Sequence, residues 1–211
     1  MMAARLVGAW LLVAALAACS SGPKAPEPSP LPPVAALMGT RLAWSAQVGE
    51  GNASFMPRVA GGRVFAAGTT GTVAAIDAGT GADVWRLDLR TRLATGPGAD
   101  GKTAAVVTAD NLLVAMADGK EAWRARLVAR SFTPPLVAGG RVFVLTADRT
   151  VVAYDAANGA RLWSQTRAGE PLVLSQPGLL TAVGDTLVAG LSGRLVGLNP
   201  DNGAVRWEAP V

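Results

Sequence analysis

A chain of 211 residues has room for one or two domains, and with 50% of its residues apolar it can bury a core. Aromatic residues make up 5% and charged residues 16%, so that core must be built from Val, Ala and Leu; the net charge of +4 comes from Lys and Arg scattered singly, which reads as a solvated surface and argues against a nucleic-acid patch. There is no histidine and a single cysteine, which leaves Asp and Glu to supply any metal site or proton shuttle and argues against most hydrolytic mechanisms.

Residues 1–18 read as a targeting segment. Arg5 gives a positive start, and residues 6–16 (LVGAWLLVAAL) form an apolar run too short to span a bilayer. Leu16-Ala17-Ala18-Cys19, followed by Ser20, Ser21 and Gly22, resembles the bacterial lipoprotein signal. That resemblance implies cleavage before Cys19, acylation of its thiol and, with Ser20 rather than Asp after it, forwarding to the outer membrane. The other reading is an ordinary secretory signal with a buried thiol. Several acyl chains would anchor the chain to a membrane without crossing it. With no second cysteine, disulfides are excluded. Residues 19–39 continue as a Pro-rich tether (PKAPEPSPLPPVAALMG from Pro23), because proline fixes the backbone in an extended form. A polyproline ligand for a partner is the alternative.

Residues 40–49 (TRLAWSAQVG) match the fourth strands further on but have no hairpin in front of them, so an orphan strand that closes a ring is expected. From there Trp44, Trp85, Trp123, Trp163 and Trp207 recur at intervals of 41, 38, 40 and 44 residues. A period near 40 made of short strands and no helix predicts an all-β propeller of four-stranded antiparallel blades. Four blades are expected over 50–89, 90–127, 128–167 and 168–211. The predicted strands are 55–60, 63–68, 71–77 and 83–88 in the first, 103–108, 111–116 and 121–126 after a start near Ala94 in the second, 133–137, 139–146, 150–155 and 161–166 in the third, and 178–182, 185–190, 194–199 and 204–209 in the fourth.

The repeated residues have structural roles. Ala75, Ala115, Ala153 and Gly197 precede their tryptophans by eight or ten residues, and a small side chain there lets an indole lie flat across the gap between blades. Asp77, Asp155 and Asn199, with Gly81, Gly159 and Gly203, suit the Asx and left-handed positions of the hairpin turn, while Asp118-Gly119 makes a tighter turn in the second blade.

The pattern A-x-D-x-x-[TN]-G-x-x-x-W, in two full copies, one with Gly and Asn replacements and one shortened, resembles the tryptophan-docking repeat of propellers of the pyrroloquinoline-quinone type. Joined to the lipoprotein signal and the tether, it is similar to the BamB family of outer-membrane barrel-assembly lipoproteins. The resemblance implies an eight-bladed ring of which this chain is the N-terminal half, with no enzymatic activity and no cofactor or metal. It also implies docking on a POTRA domain of a BamA-type protein at the periplasmic face, through a loop reading roughly L-x-L-R. The matching positions are Leu172 and Leu174, with Ser175 in place of the Arg. Two leucines between Pro171 and Pro177 are either exposed anchors for a partner or the buried start of blade four. The family's second contact lies in later blades. Two other classes share the repeat: a fragment of a quinone-dependent dehydrogenase, which would need Ca²⁺, an Asp base and a vicinal Cys pair, and a generic envelope propeller that binds another protein or a glycan.

Overall fold

The computed structural model describes residues 39, 41–167, 178–190 and 193–210. The chain divides into two units, Met1–Arg41 and Leu42–Val211, and every described strand lies in the second.

Short apolar runs punctuated by glycine turns fold into four antiparallel meanders. Blade one is β1 (Arg58–Ala60), β2 (Arg63–Ala67), β3 (Thr72–Asp77) and β4 (Asp83–Asp88). Blade two is β5 (Gly98–Ala99), β6 (Thr103–Val107), β7 (Leu112–Ala117) and β8 (Lys120–Arg126). Blade three is β9 (Leu136–Ala138), β10 (Arg141–Leu145), β11 (Thr150–Asp155) and β12 (Arg161–Thr166). Blade four is β13 (Leu179–Val183), β14 (Thr186–Gly190), β15 (Arg194–Leu198) and β16 (Val205–Pro210). First strands neighbour one another in sequence order, β1 with β5, β5 with β9 and β9 with β13, which puts them innermost and the tryptophan strands outermost. The chain is an all-β propeller assembly of four blades over the described residues.

The first strands start later than their apolar content predicts. Pro57, Pro97 and Pro135 stand just ahead of β1, β5 and β9, and a residue with no N–H and a fixed φ cannot extend the ladder. The strand expected over 40–49 is a second departure: residues 41–49 carry no strand pairing. Among the described residues the segment finds no strand to pair with, and other contacts hold it against blade one.

The core lies between the blades. A strand in a two-sided blade alternates its side chains between two neighbours, so each interface draws from facing strands. Phe65, Val73 and Ala75 of blade one meet Ala104, Val106, Val114 and Met116 of blade two. Val107, Leu113 and Ala115 meet Val142, Val144, Val152 and Tyr154 of blade three. Phe143, Leu145, Val151 and Ala153 meet Leu187, Ala189, Val196 and Leu198 of blade four. A fully buried side chain such as Phe143 contributes about 1.5–3 kcal/mol. Thr95, Ser131 and Thr133 are buried in the crossings between blades, where their hydroxyls bind backbone: Thr95 accepts from the Val107 N–H, Ser131 donates to the Leu145 carbonyl, and Thr133 accepts from the Gly178 N–H.

Candidate docking surfaces

Each tryptophan is positioned by the ladder between the third and fourth strands of its own blade. Ala75 pairs with Trp85, Ala115 with Trp123, Ala153 with Trp163 and Gly197 with Trp207. In all four ladders the register shifts immediately after the small residue, a bulge that re-aims the indole out of the sheet. The small residue therefore lies under the tryptophan of its own blade, and the bed across the gap is a different residue.

That bed is the left-handed glycine of the next blade's hairpin. A Cβ added to Gly159 would come within 2.6 Å of the Trp123 ring, one on Gly203 within 2.6 Å of Trp163, one on Gly119 within 2.8 Å of Trp85, and one on Gly81 within 2.6 Å of Trp44. At φ near +75° these positions favour glycine for the backbone as well. The indole N–H then reaches past the glycine: Trp44 donates to the Ala78 carbonyl at 3.0 Å, Trp123 to Ala156 at 2.9 Å and Trp163 to Pro200 at 2.9 Å. Trp85 has its glycine but no such hydrogen bond among the described residues, because the blade-two hairpin is two residues shorter. The glycine bed was missed in the sequence, although its signal is regular: Gly81, Gly119, Gly159 and Gly203 each stand four residues before the tryptophan of their own blade.

Trp44 keeps this docking without a strand. Its segment also accepts the Thr69 N–H at the Glu50 carbonyl, as Arg92 accepts the Ala109 N–H and Arg130 the Ala147 N–H in the next two crossings. Residues 42–50 thus stand where the outgoing fourth strand of a preceding blade would stand. At the other side Trp207 lies over Gly197 of its own blade and remains 40% exposed.

The longer hairpin turns are fixed by Asp or Asn side chains. Asp77 Oδ1 accepts from the Thr80 N–H at 2.8 Å, the Thr80 hydroxyl at 2.9 Å and the Gly79 N–H at 3.1 Å, and the Thr80 bonds hold its carboxyl below the usual range. Asp155 and Asn199 act alike, as the sequence predicts. Tyr154, beside the Trp123 ring at 6.1 Å, is raised by burial.

The opposite rim carries the crossings from each fourth strand to the next blade. Leu89, Leu127 and Arg167 donate their N–H to the turns between second and third strands, at Gly71, Asn111 and Arg149. Val128, 80% exposed, lies in the second crossing. Leu172, Leu174 and Ser175, which fall between β12 and β13 in the sequence, lie outside the described residues, as does Cys19. Where Gly178, Leu179 and Leu180 meet Met56, Arg58, Pro97 and Pro135, the inner strands border an open cleft of about 250 Å³ with an apolar lining and one cation. Among the described residues no group of three or more Asp, Glu, Cys or His is placed to hold a metal ion.

The family described as outer membrane protein assembly factor BamB matches residues 69–211. A protein of that name from Bordetella pertussis is 36% identical over 188 residues, covering 88% of this chain and 49% of that one. The chain spans about half the length of the curated relatives it matches. Among solved structures, BamB from Moraxella catarrhalis has a TM-score of 0.64 at 24% identity, over 74% of this chain and 48% of that chain. A quinohemoprotein alcohol dehydrogenase from Comamonas testosteroni has a TM-score of 0.55 at 19% identity, over 73% and 34%. The two structural likenesses speak for the fold alone. The sequence match over 69–211 says more, and by it the chain belongs to the family of the outer membrane protein assembly factor BamB.

Proposed function

We propose that the chain is a non-enzymatic docking scaffold of the outer-membrane β-barrel assembly machinery. In this reading acyl chains on Cys19 hold it at the periplasmic face of the outer membrane, and residues 19–39 act as the tether. The rim of the crossings meets a POTRA domain of the BamA-type protein, with Leu172 and Leu174 as apolar anchors and Ser175 beside them, and substrate barrel proteins pass to that partner. The observation that carries the proposal is the family match across the blades. The rest of the support is chemical: residues in the hairpins and between the blades are occupied in holding one another, which leaves the rim of the crossings as the surface to meet a partner.

The test uses the full chain in detergent and the purified POTRA region of the same organism's barrel-assembly protein. Binding is expected, weakened about tenfold or more by Leu172→Ala with Leu174→Ala, as for apolar anchors at an interface. Absence of binding by the unaltered chain would refute the scaffold reading. The fold likeness to a quinohemoprotein dehydrogenase defines the competing outcome, dye reduction by the chain supplied with pyrroloquinoline quinone and Ca²⁺.

A further inference from the structure

The hairpins that bed the indoles contain a reactive pair. Of the five asparagines, Asn158 and Asn202 stand directly before glycine, and those glycines are the beds of Trp123 and Trp163. An asparagine followed by glycine is open to intramolecular attack, because no side chain shields the glycine nitrogen. Both asparagines are exposed, so solvent reaches them.

The folded hairpin opposes that attack at three points. The nucleophile is engaged: the Gly159 N–H donates to the Asp155 carbonyl at 2.9 Å, and the Gly203 N–H to the Asn199 carbonyl at 2.8 Å. The carboxamide is held in place too, since Asn158 Oδ1 accepts from the Ala160 N–H at 2.8 Å and Asn202 Oδ1 from the Ala204 N–H at 2.9 Å, which fixes the side-chain rotation that ring closure would have to change. Ring closure also needs the backbone to rotate at the asparagine, and the glycine that would have to swing is covered by the indole of the preceding blade.

We propose that Asn158 and Asn202 are latent deamidation sites, each kept shut by one docked tryptophan: Trp123 for Asn158 and Trp163 for Asn202. When an indole leaves, the glycine nitrogen loses its proton to water and bonds to the carboxamide carbon, ammonia departs, and a succinimide forms. Water then opens either carbonyl, giving aspartate or isoaspartate. The isoaspartate product carries an extra main-chain carbon, so the turn no longer presents a flat bed and the undocked state becomes irreversible.

The test is mass spectrometry of the full chain after incubation at mildly alkaline pH, reading the two sites separately. In the unaltered chain both sites should react slowly compared with the urea-unfolded chain. Trp163→Phe, which keeps a ring but drops the bond to Pro200, should speed Asn202 about tenfold and leave Asn158 unchanged, and Trp123→Phe should do the reverse, as local opening predicts. Equal acceleration at both sites in a variant whose circular dichroism remains native would overturn the pairing. A measurement on the unaltered chain needs no variant: deamidation at each site should rise with urea in step with amide exchange at Gly159 and Gly203. A rate that urea does not change would overturn the proposal.

Discussion

Removing Trp123 tests the idea that indoles join blade to blade. Its side chain is 9% exposed, packs beside Tyr154 of the next blade and donates to the Ala156 carbonyl, whereas Trp207, on the equivalent strand of blade four, is 40% exposed and rests on its own Gly197. A tryptophan that buries roughly 200 Å² contributes about 5 kcal/mol at 25 cal/mol per Å². Trp123→Ala should therefore cost about 4 kcal/mol, within the range for large aromatic deletions that leave a cavity. Trp207→Ala starts from a smaller buried fraction and leaves no enclosed hole, so about 2 kcal/mol is expected from area alone. Urea denaturation followed by far-ultraviolet circular dichroism reads both. With a slope of about 2 kcal/mol per molar urea, the midpoint should fall by about 2 M for Trp123→Ala and about 1 M for Trp207→Ala. Equal shifts, or a larger one for Trp207, would refute the claim that the inter-blade bed, rather than the size of the ring, sets the energy.

Two glycine substitutions separate backbone strain from the loss of the bed. Gly62→Ala, at φ +71° with open space around it, should cost about 1 kcal/mol, while Gly159→Ala, at φ +75° under Trp123, should cost at least about 2 kcal/mol more by midpoint shift. The Asp77 carboxylate gives a pH dependence. Its folded pKa lies below the unfolded one, so the stability it contributes is complete above the ordinary carboxylate pKa of about 4 and is lost as pH falls through the folded value. Asp77→Asn, whose side chain matches the natural Asn199 of blade four, should flatten the fall in stability on acidification, and urea midpoints taken across the acid range check it. An unchanged acid slope would mean that the Thr80 bonds do not depend on the charge.

The fold was legible because one large residue recurs at a fixed interval among small ones. Trp85, Trp123, Trp163 and Trp207 each close a four-stranded unit, and Asp77, Asp155 and Asn199 mark the same hairpin turn in three of them. What each indole touches was not legible. Spacing within a repeat cannot say which neighbour a side chain meets, and the bulge after Ala75 or Ala153, which turns the ring toward the following blade, leaves no mark in residue type. First-strand starts were misjudged for a related reason: Phe55 and Leu136 look alike as apolar residues, yet Pro57 and Pro135 delay one strand until Arg58 and let the other begin at Leu136. Trp44 shows the reverse case, since its local sequence matches a strand and the segment pairs with none among the described residues. The expectation of a contact at Leu172 and Leu174 rested on family resemblance alone, because two leucines one residue apart look the same in sequence whether they face solvent or the core.

The two faces of a blade are complementary rather than alike: a ring projects from one, and a bare glycine patch on the other receives the ring of its neighbour. A tandem copy of one such unit would bring both halves of the joint with it, so lengthening the array by gene duplication would need no new adhesive chemistry at either seam. Surfaces that stick only to their own image pair off and stop; this polarity lets the same lineage of sequence accumulate blades one at a time.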